Sequence, residues 1–224
     1  MAIPVFRTSA AGGATTGTTD RTALITPSIG DVLIVFCAVS ANTNAAPTCS
    51  DDNGGTYTLI GTALFSASVN IMSAFIRNTP IPNITNTTVT VATGSNTSGA
   101  IVIAAISNMS TGGISNIRSF GSQANIASGT PSTILNTNAE VNSITLCSVA
   151  NVTSPAGMTP PSNWTNAQDT GQGSPAIGLS VSYRNSNFNG NTITWGSASA
   201  SAFASFAVEI DSKLARSITF GFHF

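Results

Sequence analysis

Apolar residues recur along the chain in strand-length runs separated by turns rich in Gly, Asn, Ser and Pro. Residues 32–39 are apolar without interruption, a pattern typical of a strand covered on both faces. Residues 100–106 form a second continuous run. Residues 177–184 instead alternate apolar with small or polar side chains, as a half-buried strand does. The pattern therefore predicts two strands at the centres of sheets, with shorter strands around them.

Further strand patterns lie between turn signals on either side of these runs. They cover residues 3–8, 23–26, 56–60, 69–77, 87–93, 143–150 and 202–210, with Ile193 and Trp195 facing inward from one more strand. Residues 107–137 predict only short strands, near 117–120 and 133–135. The pattern shows no amphipathic helix and no fixed-period repeat. About ten strands without helices predict an all-β sandwich or barrel, as one domain over residues 1–210.

Charged residues are 7% of the chain, where an ordinary soluble domain has roughly 25%. The polar surface must therefore come from Ser, Thr and Asn. Net charge is −1 and Lys213 is the single lysine, so no basic stripe is available to neutralise a row of phosphates. We accordingly predict no nucleic-acid partner. The apolar runs fall short of the ~20 residues of a membrane helix, and the start of the chain lacks signal-peptide features, so we expect synthesis in a cytoplasm and no membrane partner.

Cys37, Cys49 and Cys147 form no metal-binding spacing, and their odd number argues against a closed disulfide framework. We predict that they are reduced, with Cys37 and Cys147 in the core. A bridge between Cys37 and Cys49 is the minority alternative.

Clustered acids near the first turn offer two interpretations. Asp51, Asp52 and Asn53 supply oxygen atoms that suit Ca²⁺, but their spacing is not that of an EF-hand. A tight Asx turn leading into Gly54 and Gly55 is favoured. We therefore predict no cofactor and no metal.

Catalytic residues are scarce. Glycoside hydrolysis needs two carboxylates across a sugar, and beyond the Asp51/Asp52 pair the middle and end of the chain offer few acids, among them Glu140, Asp169 and Glu209. The only histidine, His223, lies next to the C-terminus and is not placed as a general base. The sequence favours a protein that is not an enzyme.

Two aromatic residues could serve as platforms for a sugar ring. Trp164 follows a Pro-rich loop and Tyr57 follows a turn. The alternative, which we favour, is that Trp164 fixes its loop and Tyr57 packs on the sandwich.

Three loose motifs resemble a jelly-roll β-sandwich that recurs in bacteriophage virion proteins. They are Gly30-Asp31-x-Leu33-x-Val35, Asp51/Asp52-x-x-Gly55-x-Tyr57 and Pro160-Pro161-x-x-Trp164-Thr165, followed by a closing Ala-rich strand. The resemblance spans residues 3–210 and implies an eight-stranded double sheet. It implies a virion protein, most often a capsid decoration (cement) protein that binds the major capsid protein and its own copies as a homotrimer. A tail or fibre module that recognises a host surface glycan is the alternative.

The end of the chain has an unusual pattern. Residues 211–216 form a charged linker, after which Ile218, Phe220, Phe222 and Phe224 fall on one face at period two. We predict that residues 211–224 are an extension whose strand adds to a neighbouring subunit. The competing interpretation makes this segment the last strand of its own sheet.

Overall fold

The computed structural model describes residues 3–14, 20–40, 47–67, 69–94 and 97–211. Within these residues the fold is all-β, apart from a 3-10 turn at Ile114–Asn116. The strands are β1 (Val5–Ala14), β2 (Asp20–Ile25), β3 (Val32–Val39), β4 (Thr48–Asp51), β5 (Tyr57–Phe65), β6 (Asn70–Arg77), β7 (Thr87–Ala92), β8 (Gly99–Ser107), β9 (Ile117–Ile126), β10 (Ser132–Ile134), β11 (Ile144–Asn151), β12 (Thr165–Gly173), β13 (Ala176–Arg184), β14 (Thr192–Thr194) and β15 (Phe203–Ile210). No described helix is long and apolar enough to cross a membrane.

The strands form four antiparallel sheets. Two five-stranded central sheets have the orders β1-β8-β3-β6-β5 and β9-β15-β11-β13-β12. A three-stranded outer sheet, β2-β7-β4, packs on the first central sheet, and a two-stranded outer sheet, β10-β14, packs on the second. The all-β sandwich predicted from the sequence is confirmed, but the described residues form fifteen strands in four sheets where the resemblance implied eight strands in two.

Three apolar cores separate these layers. The central core lies between the two central sheets and contains Phe36 and Val102 from one and Leu146 and Phe206 from the other. The other two cores lie between each central sheet and its outer sheet. Successive residues of β3 point alternately into two different cores, as the uninterrupted apolar run predicted.

The strand orders show that the chain contains one arrangement twice. We call residues 5–107 (β1 to β8) repeat 1 and residues 117–210 (β9 to β15) repeat 2. In repeat 1, the first, eighth, third and sixth strands share one sheet and the second, seventh and fourth share the other, which is the order of an eight-stranded jelly roll. β5 extends the central sheet and touches β4 through a bridge between Ser50 and Thr56. Repeat 2 has the same order without a fourth strand.

Strand register confirms the repeat residue by residue. Ile34 lies opposite Ile76 between β3 and β6, and Leu146 lies opposite Tyr183 between β11 and β13.

A bulge between Leu59 and Gly61 in β5 has its counterpart between Asn166 and Gln168 in β12. A second bulge, between Phe6 and Thr8 in β1, matches one between Ile117 and Ser119 in β9. Bulges are conserved within protein families, so bulges at equivalent positions indicate that the two repeats have the same fold.

The two repeats pack through their central sheets in a nearly two-fold manner. β1 contacts β12, and the equivalent strands β9 and β5 contact each other in turn. Phe6 of repeat 1 stacks on Tyr183 of repeat 2 with ring centroids 3.9 Å apart. Ser9 donates a hydrogen bond to the Ala167 carbonyl at 3.0 Å. The interface therefore resembles that of a symmetric dimer whose subunits are joined in one chain.

Candidate functional site

The predicted C-terminal binding residues Ile218, Phe220, Phe222 and Phe224 lie outside the described residues. His223 lies outside them as well. β15 ends at Ile210, where the sequence pattern placed the end of the sandwich. The predicted extension from residue 211 stays a prediction.

Asp51 sits at the centre of a buried cluster rather than in an open cation site. Its Oδ2 accepts hydrogen bonds from the Arg77 Nε at 2.8 Å and from the Tyr57 hydroxyl at 3.0 Å. Its Oδ1 accepts from the backbone N–H of Gly55 at 2.7 Å and of Asn53 at 3.1 Å. Both carboxylate oxygens are thus engaged within the turn, and the Asx turn predicted here is confirmed.

This arrangement controls the charge of Asp51. Burial alone would raise the pKa of its carboxyl group, but hydrogen bonds from Arg77, Gly55 and Tyr57, with the charge of Arg77, hold that pKa below its ordinary value of 3.8. The ion pair is almost fully enclosed, with side-chain exposures of 3% for Arg77 and 0% for Asp51. A Cβ added at Gly55 would lie 2.2 Å from the Asp51 Oδ2 and 2.4 Å from the Arg77 Nε. Glycine at this position therefore makes room for the ion pair.

Tyr57, one of the two predicted stacking residues, belongs to the same cluster. Its ring packs against the core between the sheets of repeat 1. Burial and the neighbouring Asp51 charge raise the pKa of its hydroxyl above the ordinary value. With its ring packed on this core and its hydroxyl bound to Asp51, Tyr57 supports the fold of repeat 1.

The other acids singled out from the sequence also hold the structure. Glu209 is fully buried and accepts hydrogen bonds from Arg118, the Glu140 N–H and the Ser143 hydroxyl, each at 2.7 Å. Glu140 forms an ion pair with the same Arg118 at 3.0 Å.

Asp169 accepts hydrogen bonds from the Gly157 N–H and, at 2.6 Å, from the Ser180 hydroxyl. Among the described residues, no three His, Cys, Asp or Glu side chains come together to hold a metal.

All three cysteines are free thiols, as predicted, and the alternative Cys37–Cys49 bridge is not formed. Burial raises the pKa of Cys37 to about 12. A thiol held protonated in this way is a poor nucleophile, and Cys37 serves as a small core residue.

Trp164, the other predicted stacking residue, lies in a different setting. It is partly exposed at the start of β12 and packs on the core between the sheets of repeat 2. Its ring meets Phe188 edge to face, with centroids 5.5 Å apart. The Arg184 guanidinium lies 5.8 Å from the centre of the Phe188 ring. We call Trp164, Arg184 and Phe188 the aromatic–arginine patch.

Arg184 and Phe188 were not identified from the sequence, although one signal pointed to Arg184. Tyr57-Thr58 is followed twenty residues later by Arg77-Asn78 (57 to 77), and Trp164-Thr165 is followed at the same distance by Arg184-Asn185 (164 to 184). The Arg77 Nη1 donates to the Thr79 and Pro80 carbonyls, and Arg184 donates to the equivalent carbonyls of Ser186 and Asn187. The two arginines are therefore equivalent positions of the two repeats.

Comparisons with known proteins do not assign a family. No protein-family model matches the chain, and no curated protein matches it. A solved structure of the plant peptide RALF23 in complex with FER and LLG2 aligns with 91% of this chain and 89% of its own, at 10% identity and a TM-score of 0.23. A similarity at this level supports no conclusion about fold or function.

Proposed function

We propose that the protein is a non-enzymatic structural protein of a bacteriophage virion, and specifically a capsid decoration protein that binds the major capsid protein and neighbouring copies of itself. The supporting observation is a duplicated jelly roll in which buried charges hold loops in place. Asp31, Asp51 and Glu209 each have a fully buried side chain paired with an arginine. The remaining surface is largely neutral, which suits docking onto a protein shell.

The position of the protein in an imaged virion tests this proposal. We expect cryo-electron microscopy or immunogold labelling to find many copies on the capsid, grouped in threes if the homotrimer is correct. A few copies at the tail would replace decoration with a tail role. Absence from purified virions would overturn the proposal.

The C-terminal extension gives the decoration proposal a second test. Deleting residues 212–224 should leave a folded sandwich that no longer docks on the capsid, if Ile218, Phe220, Phe222 and Phe224 serve a neighbouring subunit. Loss of folding in the deleted protein would instead assign this segment to its own sheet. Circular dichroism and a capsid-binding assay distinguish the two outcomes.

A glycan-binding tail or fibre module is the second candidate function. The observation that favours it is the partly exposed Trp164, whose ring meets Phe188, the residue over which the Arg184 guanidinium lies. Aromatic side chains with one open face are common supports for sugar rings, whose C–H groups pack against the π-system.

A further inference from the structure

Each repeat places an aromatic residue and an arginine side by side on neighbouring strands. Tyr57 and Arg77 are direct partners in the β5–β6 ladder. Thr58 pairs with Ile76, and the equivalent Thr165 pairs with Tyr183, so that Trp164 and Arg184 occupy the matching positions next to the β12–β13 ladder. The same pair of strand positions therefore carries an aromatic residue and an arginine in both repeats, with different contacts around them.

Repeat 1 fills the space in front of its arginine with a carboxylate of its own. Asp51 is the last residue of β4, and Thr48, the first residue of that strand, pairs with Ala92 of β7. The Tyr57 hydroxyl and the Arg77 guanidinium both bind the Asp51 Oδ2. Repeat 1 thus shows that this aromatic–arginine geometry accommodates a carboxylate.

Repeat 2 brings no acid to the matching place. Gly196 is the counterpart of Ala92, and its N–H donates to the Thr159 carbonyl at 3.0 Å, so the segment after Thr159 takes the position of β4. That segment reads Thr159-Pro160-Pro161-Ser162-Asn163 and contains no carboxylate. Its two prolines lack N–H donors, which explains why it does not continue as a strand.

Among the described residues, no carboxylate therefore neutralises the charge of Arg184. Arg184 forms no ion pair with any residue in the described ranges. Its Nε donates to the Ser186 carbonyl at 3.2 Å and its Nη2 to the Asn187 carbonyl at 2.6 Å, while its Nη1 has no acceptor among the described residues. The guanidinium is partly exposed and is held over Phe188. Its free edge is a fixed, charged donor of the kind that binds carboxylates.

The surroundings of Arg184 suit a sugar better than a free anion. Trp164 supplies a partly exposed indole within the same patch. Asn163 and Asn187 flank the patch, and both are exposed residues with a left-handed backbone (φ 66° and 61°). Side-chain amides both donate and accept hydrogen bonds, which matches the hydroxyl groups of a pyranose.

We propose that the aromatic–arginine patch of repeat 2 binds a carboxylated sugar, with the carboxylate on Arg184 and the ring against Trp164. The ligand carboxylate would neutralise Arg184 as Asp51 neutralises Arg77, but it would meet Nη1, because the Nε that holds Asp51 in repeat 1 donates to the Ser186 carbonyl in repeat 2. This inference deepens the glycan-binding candidate and rests on it. It is independent of where the protein sits in a virion, so its failure leaves the decoration proposal standing and failure of the decoration proposal leaves it untouched.

Isothermal titration calorimetry of the full chain tests the assignment with four probes. Tri-galacturonate and a sialylated trisaccharide carry the carboxylate on a sugar. The methyl ester of tri-galacturonate removes the charge and keeps the sugar, and oligo-glutamate keeps the charge without a sugar. We expect binding of at least one acidic sugar, about tenfold or more weaker binding of the ester, and weakening by salt.

Variants assign the binding to this patch. Arg184→Met should weaken binding about tenfold or more, Arg184→Lys should restore part of it, and Trp164→Ala should weaken it while circular dichroism stays unchanged. Tyr57→Phe in repeat 1 is the matched control and should bind like the unmodified chain. Three results would overturn the proposal: no binding of either acidic sugar, equal binding of the methyl ester, or oligo-glutamate binding that does not depend on Trp164.

Discussion

Arg77 and Arg184 occupy equivalent positions but are used differently. Arg77 is closed in by Asp51, Tyr57 and Gly55, and its charge is neutralised inside repeat 1. Arg184 donates to the equivalent carbonyls through Nε and Nη2 instead of Nη1, and it has no acid partner among the described residues. In both repeats, the arginine therefore holds the loop after β6 or β13 through backbone carbonyls. Only repeat 1 neutralises its arginine with a carboxylate, whereas repeat 2 presents a partly exposed charge.

Removing each arginine in turn should produce the largest contrast between the repeats. Arg77→Ala leaves the Asp51 carboxylate buried without a partner, which should lower the free energy of unfolding by about 3 to 5 kcal/mol. Arg184→Ala loses two partly exposed hydrogen bonds and should cost about 1 kcal/mol or less. Urea unfolding followed by circular dichroism measures both values. Equal losses for the two variants would show that the repeats do not differ in this way.

A glycine at the interface between the repeats should give an intermediate effect. A Cβ added at Gly61 would lie 2.7 Å from the Phe206 Cζ, and Phe206 is buried in the central core. Gly61→Ala should therefore lower stability by about 1 to 3 kcal/mol through overpacking. Gly173, which has nothing within 4 Å of an added Cβ, provides the matched control, and Gly173→Ala should change stability by less than about 0.5 kcal/mol. If Gly61→Ala is as neutral as the control, the packing across the repeats is looser than described.

The pH dependence of stability should show a smaller effect that belongs to repeat 1. Because the pKa of Asp51 is held below 3.8 in the folded protein, its contribution is fully present above that value and is lost as the pH falls through the folded pKa. Asp51→Asn should therefore flatten the loss of stability between about pH 4 and pH 2. Urea midpoints measured across this range test the effect. An unchanged slope in Asp51→Asn would mean that other carboxyl groups dominate acid unfolding.

Sequence patterns predicted most of the strands that face a core, because burial imposes a readable pattern, but they missed β4 and β12. β3 and β8 are continuous apolar runs, and β15 ends at Ile210 as predicted. β12 was missed because Ala167 is the only apolar side chain in Thr165–Gly173 and the strand forms the edge of its sheet. An edge strand with little buried surface has no apolar period to detect.

The duplication escaped sequence analysis for a different reason. The difference in residue number between equivalent positions of the two repeats is not constant. It falls from 112 between Val32 of β3 and Ile144 of β11 to 104 between Ile106 of β8 and Ile210 of β15. A search for a fixed period cannot find a repeat whose loops differ in length, and a jelly roll tolerates such differences because its loops lie outside the sheets. Trp164 was identified as a candidate from its type and loop. Arg184 is recognised as a candidate only by comparison with the equivalent Arg77, and that comparison requires the repeat to be known.

The divergence of the two arginine sites can be measured directly by NMR of the arginine side chains. In a ¹⁵N-labelled full chain, each buried or ordered guanidinium gives its own Nε–Hε resonance, and mutation of Arg77 or Arg184 assigns the two signals. During titration with the acidic sugar that binds most tightly, we expect the Arg184 signal to shift in proportion to occupancy while the Arg77 signal stays in place. A shift of Arg77, or titration to high sugar concentration with no shift of Arg184, would contradict the account.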